Sequence, residues 1–269
     1  MDPCDPAVTG LLLTGRMEVT GRIVTASNAT LYCDVEADGV RAACVYKPIR
    51  GERPLWDFPD GTLADREFAS YLIAEAFAGQ SGCGSLVPPT VLREGPFGPG
   101  MVQLWIDTDD ECDLVDVCPP DKVPDGWLTV LRARDSVGDP ALLVHADRPD
   151  LQGMAVLDIL LNNADRKGGH LLAGANGRIY GVDHGICLHE DDKLRTVLWG
   201  WVGRRLPAEL RDAVRAMRER MDNGLGATLA AHLTRREVRA LSDRVNGLLA
   251  RPRFPEPSGY GPAIPWPAF

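Results

Sequence analysis

The feature that most limits the fold is a change of period near residue 107. Before it, apolar residues recur at period two or in short β-branched and aromatic clusters, the spacing of strands. Residues 16–25 (RMEVTGRIVT), 30–36 (TLYCDVE), 40–49 (VRAACVYKPI), 87–93 and 100–106 read this way. One helical stretch interrupts them, running to about Gly79 with Thr62 or Asp65 as its cap and Phe68, Leu72, Ala76 and Phe77 on one face. After residue 107 the spacing turns helical, over 127–134, 151–163, 206–222, 224–233 and 235–250. The expected class is α+β: a β-rich half with one helix, then a helical half.

Two segments fit neither half. Residues 107–125 carry eight acidic side chains and one lysine, so 108–126 is expected to be an acidic connector. Residues 252–269 hold six prolines and are expected to be an irregular tail. The divisions are thus 1–107, 108–126, 127–251 and 252–269.

The 269 residues suffice for one large core or two smaller ones. No run of about 18 apolar residues exists to cross a membrane, and the opening MDPCDPAVTG lacks the basic-then-apolar order of a signal peptide. The expected compartment is the cytoplasm. Seven scattered cysteines without a C-x-x-C pair argue against a disulfide framework and a structural zinc site. A net charge of −9 argues against nucleic acid as a partner. Six arginines against three acids in 203–220, and five against two in 234–251, face either an anionic partner or solvent.

Only four lysines occur, and Lys47 stands in the apolar strand AACVYKPI. A buried ammonium must be paired. Glu67, at the start of the predicted helix, is the natural partner. The most informative segment is LLNNADRKGGHLL followed by IYGVDHGICL. It places Asp165 and Asp183 at one end of a hairpin-like unit, with Gly168, Gly169 and Gly185 permitting tight turns. Position 170 lies five residues after Asp165 and thirteen before Asp183. An acid–base carboxylate, a second ligand and a metal-binding Asp before Gly recur in this order in phosphoryl-transfer sites.

The D-R-x-x-x-N loop, an apolar strand and D-x-G are the signature of phosphatidylinositol 3-/4-kinase-like proteins, and occur in HipA-type toxin kinases. This chain, with DRKGGH and DHG, resembles them. Lys47-Pro48, the helix bearing Glu67 and the strand VPPTVL are similar to the type II phosphatidylinositol 4-kinase branch. More narrowly, NNADRKGGH and LRTVLWGW resemble an actinobacterial branch of such proteins. The resemblance spans roughly residues 16–250.

It implies a two-lobed kinase-like fold, a small N-lobe and a larger helical C-lobe, binding ATP with Mg²⁺ or Mn²⁺. It implies phosphoryl transfer to a hydroxyl on a lipid head group, a protein or a small molecule. By that likeness Lys47 contacts the ATP phosphates and Glu67 positions it. Asp165 is the base or orienting carboxylate, Arg166 holds the loop or neutralises charge, and Asp183 chelates the metal. Val102–Ile106, including Gln103, Leu104 and Trp105, forms the interlobe hinge against adenine.

Two departures bear on activity. Position 170 is His where the family has Asn; His170 ligates through nitrogen, which favours manganese, or weakens catalysis. No G-x-G-x-x-G covers the phosphates, leaving Ser27 and Asn28 in TASNAT as candidates. The alternatives are a nucleotide-binding pseudokinase and nucleotidyl transfer on the same fold. His145 and His232 carry no expected role, a zinc site of His184, His189 and Asp183 lacks ligands, and Trp199 and Trp201 are expected to pack the segment after Asp183.

Overall fold

The computed structural model describes residues 1–24, 28–78, 85–135 and 137–269. The architecture is mixed α/β, strand-rich in its first half and ending in helices. Helix α1 (Ala7–Thr14) precedes strands β1 (Arg16–Arg22), β2 (Leu31–Ala37) and β3 (Val40–Pro48). Helix α2 (Leu63–Ala78), β4 (Thr90–Gly95) and β5 (Gly98–Leu104) follow. The five strands form one antiparallel sheet in the order β1-β2-β3-β5-β4.

Period-two alternation gives this sheet two apolar faces. Cys33, Val35, Cys44, Tyr46, Val102 and Leu104 pack with Val8, Leu11 and Leu12 of α1. Lys47, next to Tyr46 in β3, therefore points to the opposite face, toward α2. Gly100 permits the close strand approach this needs: a Cβ there would lie 2.5 Å from the Lys47 carbonyl oxygen and 2.7 Å from the Tyr46 ring. Helix α2 starts where Thr62 and Asp65 cap each other and Glu52 accepts from the Leu63 and Ala64 N–H groups.

The next elements are β6 (Val115–Cys118), β7 (Trp127–Arg134), β8 (Pro140–Ala146) and α3 (Pro149–Leu161). Strands β9 (Leu171–Ala173) and β10 (Ile179–Gly181) then form the expected hairpin. Helices α4 (Ala208–Arg220), α5 (Gly226–Leu229) and α6 (Arg235–Ala250) end the regular structure. A second core joins α2, α3, α4 and α6 through residues such as Ile73, Leu157, Val214 and Leu241. Arg66 of α2 donates to Glu237 of α6 at 2.5 Å, and Glu237 completes a capping box with Thr234.

Four expectations need correction. Residues 127–134 are strand β7, not a helix; a bulge between Thr129 and Leu131 shifts the register and hides the alternation. The acidic connector contains β6, so β6-β8-β7 is a second sheet, with β8 unread in the sequence. The β-rich half has a second helix, α1, started by Asp5, whose carboxylate accepts from the Ala7 N–H. Of the expected hinge Val102–Ile106, the first three residues lie inside β5. The predicted helices after 206 fall either side of a break at Asn223 and Gly224, where Gly224 has φ 116°.

Candidate functional site

Lys47 is the centre of the site. Its Nζ lies 2.6 Å from Glu67 Oε1 and 2.7 Å from Asp183 Oδ1. These partners stand 20 and 136 residues away along the chain. Burial opposes the ammonium's charge, but Asp183 and Glu67 outweigh it and raise the Lys47 pKa. The Lys47 charge in turn holds the Asp183 carboxyl well below the usual carboxylate range. Glu67 is buried, and its second oxygen accepts from the His184 N–H at 2.9 Å. Asp183 stays 52% exposed at its side chain. Its backbone sits at φ 61°, a left-handed conformation rare outside Gly, Asn and Asp and common where function requires strain.

The loop after α3 is built on Arg166. Asn162 turns the chain out of the helix in the left-handed conformation. Arg166 and Asp158 are both 0% exposed and paired. The guanidinium donates from Nε to both Asp158 oxygens, and from Nη1 to the carbonyls of His170 and Val182. Its Nη2 reaches His184 Nε2 at 2.6 Å. Burial, then the guanidinium itself, depress the His184 pKa, so the neutral ring accepts this bond. Thr196 and Asn163 also donate to Asp158. A parallel bridge joins Arg166 to Thr196, laying the segment after Asp183 beside the loop.

Asp165 and His170 stand at the open side of this loop. Burial pushes the Asp165 carboxyl above its ordinary pKa, against the pull of Lys167, whose Nζ lies 3.4 Å away. His170 Nδ1 pairs with the Asp165 carbonyl at 2.9 Å and Nε2 lies 3.5 Å from Asp183 Oδ2. Burial lowers the His170 pKa to about 4, against the Asp183 charge. The ring is therefore neutral near pH 7, with its N–H on the carbonyl and its Nε2 lone pair toward Asp183.

No protein-family model matches the chain. It is 47% identical to Protein Rv2133c of Mycobacterium tuberculosis (strain ATCC 25618 / H37Rv) over 269 residues, 96% of this chain and 94% of that protein. The chain belongs to the Rv2133c family. It is also 26% identical over 206 residues to Phosphatidylinositol 4-kinase gamma 4 of Oryza sativa subsp. japonica, covering 65% of this chain and 32% of the rice protein.

In this member of the Rv2133c family, Lys47, Glu67, Asp183 and His170 meet directly, and Asp165 is near enough to feel the Asp183 charge. Of the two roles expected for Arg166, holding the loop or neutralising charge, its contacts bear on the first: its donors are spent inside the protein. Gln103 is corrected, because its buried amide donates to Thr90 Oγ1. Leu104 is buried on the α1 side of the sheet. Trp105, 39% exposed, meets the Tyr32 ring edge-on at 4.9 Å. Asn28 accepts from the Arg53 N–H at 3.1 Å; Ser27 lies outside the described residues. Trp201 is buried against His145, ring centroids 4.3 Å apart, so this pair packs the core as expected of Trp201.

Sequence reasoning missed Asp158, Lys167 and the structural role of His184. Lys167 carried a signal, being one of four lysines and two residues from Asp165. Asp158 carried only its position, a carboxylate inside an apolar helix, where an unpaired charge is too costly.

Among the described residues no three His, Cys, Asp or Glu side chains form a metal site on protein ligands alone. A carboxylate and a neutral imidazole side by side still suit a divalent cation that takes its remaining ligands from phosphate oxygens. His170→Asn is expected to shift metal preference from manganese toward magnesium. Nucleotide-dependent thermal shifts with each metal check this; an unchanged ratio of the two removes His170 from the ligand set.

Proposed function

We propose that this chain is an ATP-dependent phosphotransferase of kinase-like, two-lobed build, moving a phosphoryl group to a hydroxyl acceptor. The observation that carries the reading is the Lys47 ammonium held between Glu67 and Asp183. A cation fixed by one buried carboxylate and facing a second, half-exposed one is what a triphosphate with its metal requires. The rice protein named a phosphatidylinositol 4-kinase supports the same reaction class at low identity.

In this reading Lys47 binds phosphate oxygens. Asp183 and His170 hold Mg²⁺ or Mn²⁺, which supplies charge neutralisation to the phosphates when bound. Asp165 accepts the proton of the acceptor hydroxyl, and Lys167 tempers its basicity. Val45 and Trp105 offer the apolar surface for adenine. The sheet half with α1 and α2 forms one lobe, and the helical half with β9 and β10 the other. No helix among the described residues is long and apolar enough to cross a membrane.

The test is thermal unfolding with ATP and each metal, then phosphate transfer to phosphatidylinositol vesicles, to a mixed protein acceptor and to glycerol. ATP with metal at 100 times its Kd is expected to stabilise the fold by about 2.7 kcal/mol. Asp183→Asn, which tolerates the left-handed backbone, is expected to abolish the metal-dependent part of that shift. Equal shifts in both proteins, or none in either, would overturn the assignment. A second reading, a nucleotide binder that transfers nothing, is favoured by His170 at the position where the resembling families carry Asn. It predicts the thermal shift without transfer to any acceptor.

A further inference from the structure

The proline-rich segment 252–269 does not leave the protein; it returns to the loop that carries Asp165. Its base is anchored at Phe254, which is buried and exchanges backbone hydrogen bonds with Gly203 and Arg204. Further on, the Ala263 carbonyl accepts from the Thr196 N–H at 3.1 Å and from Trp199 Nε1 at 2.8 Å. Thr196 is the residue bridged to Arg166, so this hydrogen bond ties the segment to the backbone pairing of the loop. Ile264 and Ala268 pack on the main core. Finally the Gly168 N–H donates to the Ala268 carbonyl at 2.8 Å. The Phe269 ring covers Gly168 so closely that a Cβ there would lie 2.3 Å from it.

Gly168 lies between Asp165 and His170 in the loop that carries the proposed base. We propose that residues 263–269 form an autoinhibitory strap over the acceptor side of the site, which substrate must displace. This rests on the phosphotransferase reading above. Three hydrogen bonds, the buried Pro265 and the partly buried Ile264 and Ala268 hold seven residues, while Trp266 is 90% and Phe269 51% exposed. Prolines 265 and 267 lower the entropy lost when the strap closes. A pre-ordered segment with so few hydrogen bonds and its last ring half exposed is suited to reversible release.

The test uses the full chain carrying Ile264→Ser and Phe269→Ala together. Hydrogen exchange at the Gly168 amide is expected to quicken, because its acceptor is freed. Phosphate transfer, or ATP hydrolysis where the acceptor is unknown, is expected to rise about tenfold, the gain from opening a site closed nine-tenths of the time. The peptide AIPWPAF added in trans is expected to reverse the gain. Unchanged turnover with a freed Gly168 amide, or an amide as protected as before, overturns the strap. The failures are separable: a metal-ATP thermal shift present in both proteins with unaltered turnover sinks the strap alone. Its absence from both sinks the phosphotransferase reading and the strap with it.

Discussion

Asp165→Asn is expected to cut turnover about 10²–10⁴-fold, the usual contribution of a positioned general base, with ATP affinity nearly unchanged. The side chain keeps its shape and the loop keeps its scaffold, since Asp165 is tied down through its backbone N–H to Asn163 Oδ1 at 3.0 Å. Only the basic oxygen is lost. A companion measurement reads the same carboxylate through pH. A base must be ionised, and the Asp165 pKa is already raised by burial, so turnover falls on the acid side at a higher pH than an unperturbed aspartate would give. Lys167→Met removes the nearest cation. Losing a positive neighbour favours the protonated form, so the acid limb of the profile moves to higher pH. A limb that stays in place, or an affinity loss in Asp165→Asn equal to its rate loss, contradicts the role assigned.

Arg166→Ala is expected to cost about 3–5 kcal/mol of folding stability, the range for stripping one partner from a buried ion pair. Asp158 would keep only the Asn163 amide and the Thr196 hydroxyl in a site closed to water. The Val182 carbonyl would lose its guanidinium donor at the same time, and the His170 carbonyl would keep only the Val182 N–H. Urea unfolding of the variant checks this through its midpoint. Arg166→Met combined with Asp158→Leu is expected to recover much of the loss, because no charge is left stranded. A loss under about 1 kcal/mol in the single variant would mean that Asp158 finds compensation not visible in its present surroundings.

The meeting of Lys47 with Glu67 and Asp183 was legible because a charge in an apolar strand needs a partner and because the D-R and D-x-G spacing puts Asp165 and Asp183 at one end of a hairpin. The strands of the five-strand sheet were legible because β2 and β3 alternate and β5 is a short apolar cluster. Strand β7 was not, because its bulge lets WLTVLRAR pass for a helical spacing. Strand β8 was not, because PALLVHA is apolar at almost every position and carries no period. The two roles left open for Arg166 could not be separated in the sequence because its burial depends on Asp158, Thr196 and His184 arriving from other places in the fold. No local pattern contains that. Gln103 misled, since its amide is committed to a neighbour on β4.

Glu67 grips two things at once, the ammonium of Lys47 and the backbone just past Asp183. Helix α2 is therefore a single lever on both. A displacement of that helix cannot loosen the lysine and spare the 183–185 turn, so chemical labelling of Lys47 should rise as cation affinity falls, along one curve, whatever perturbation moves α2.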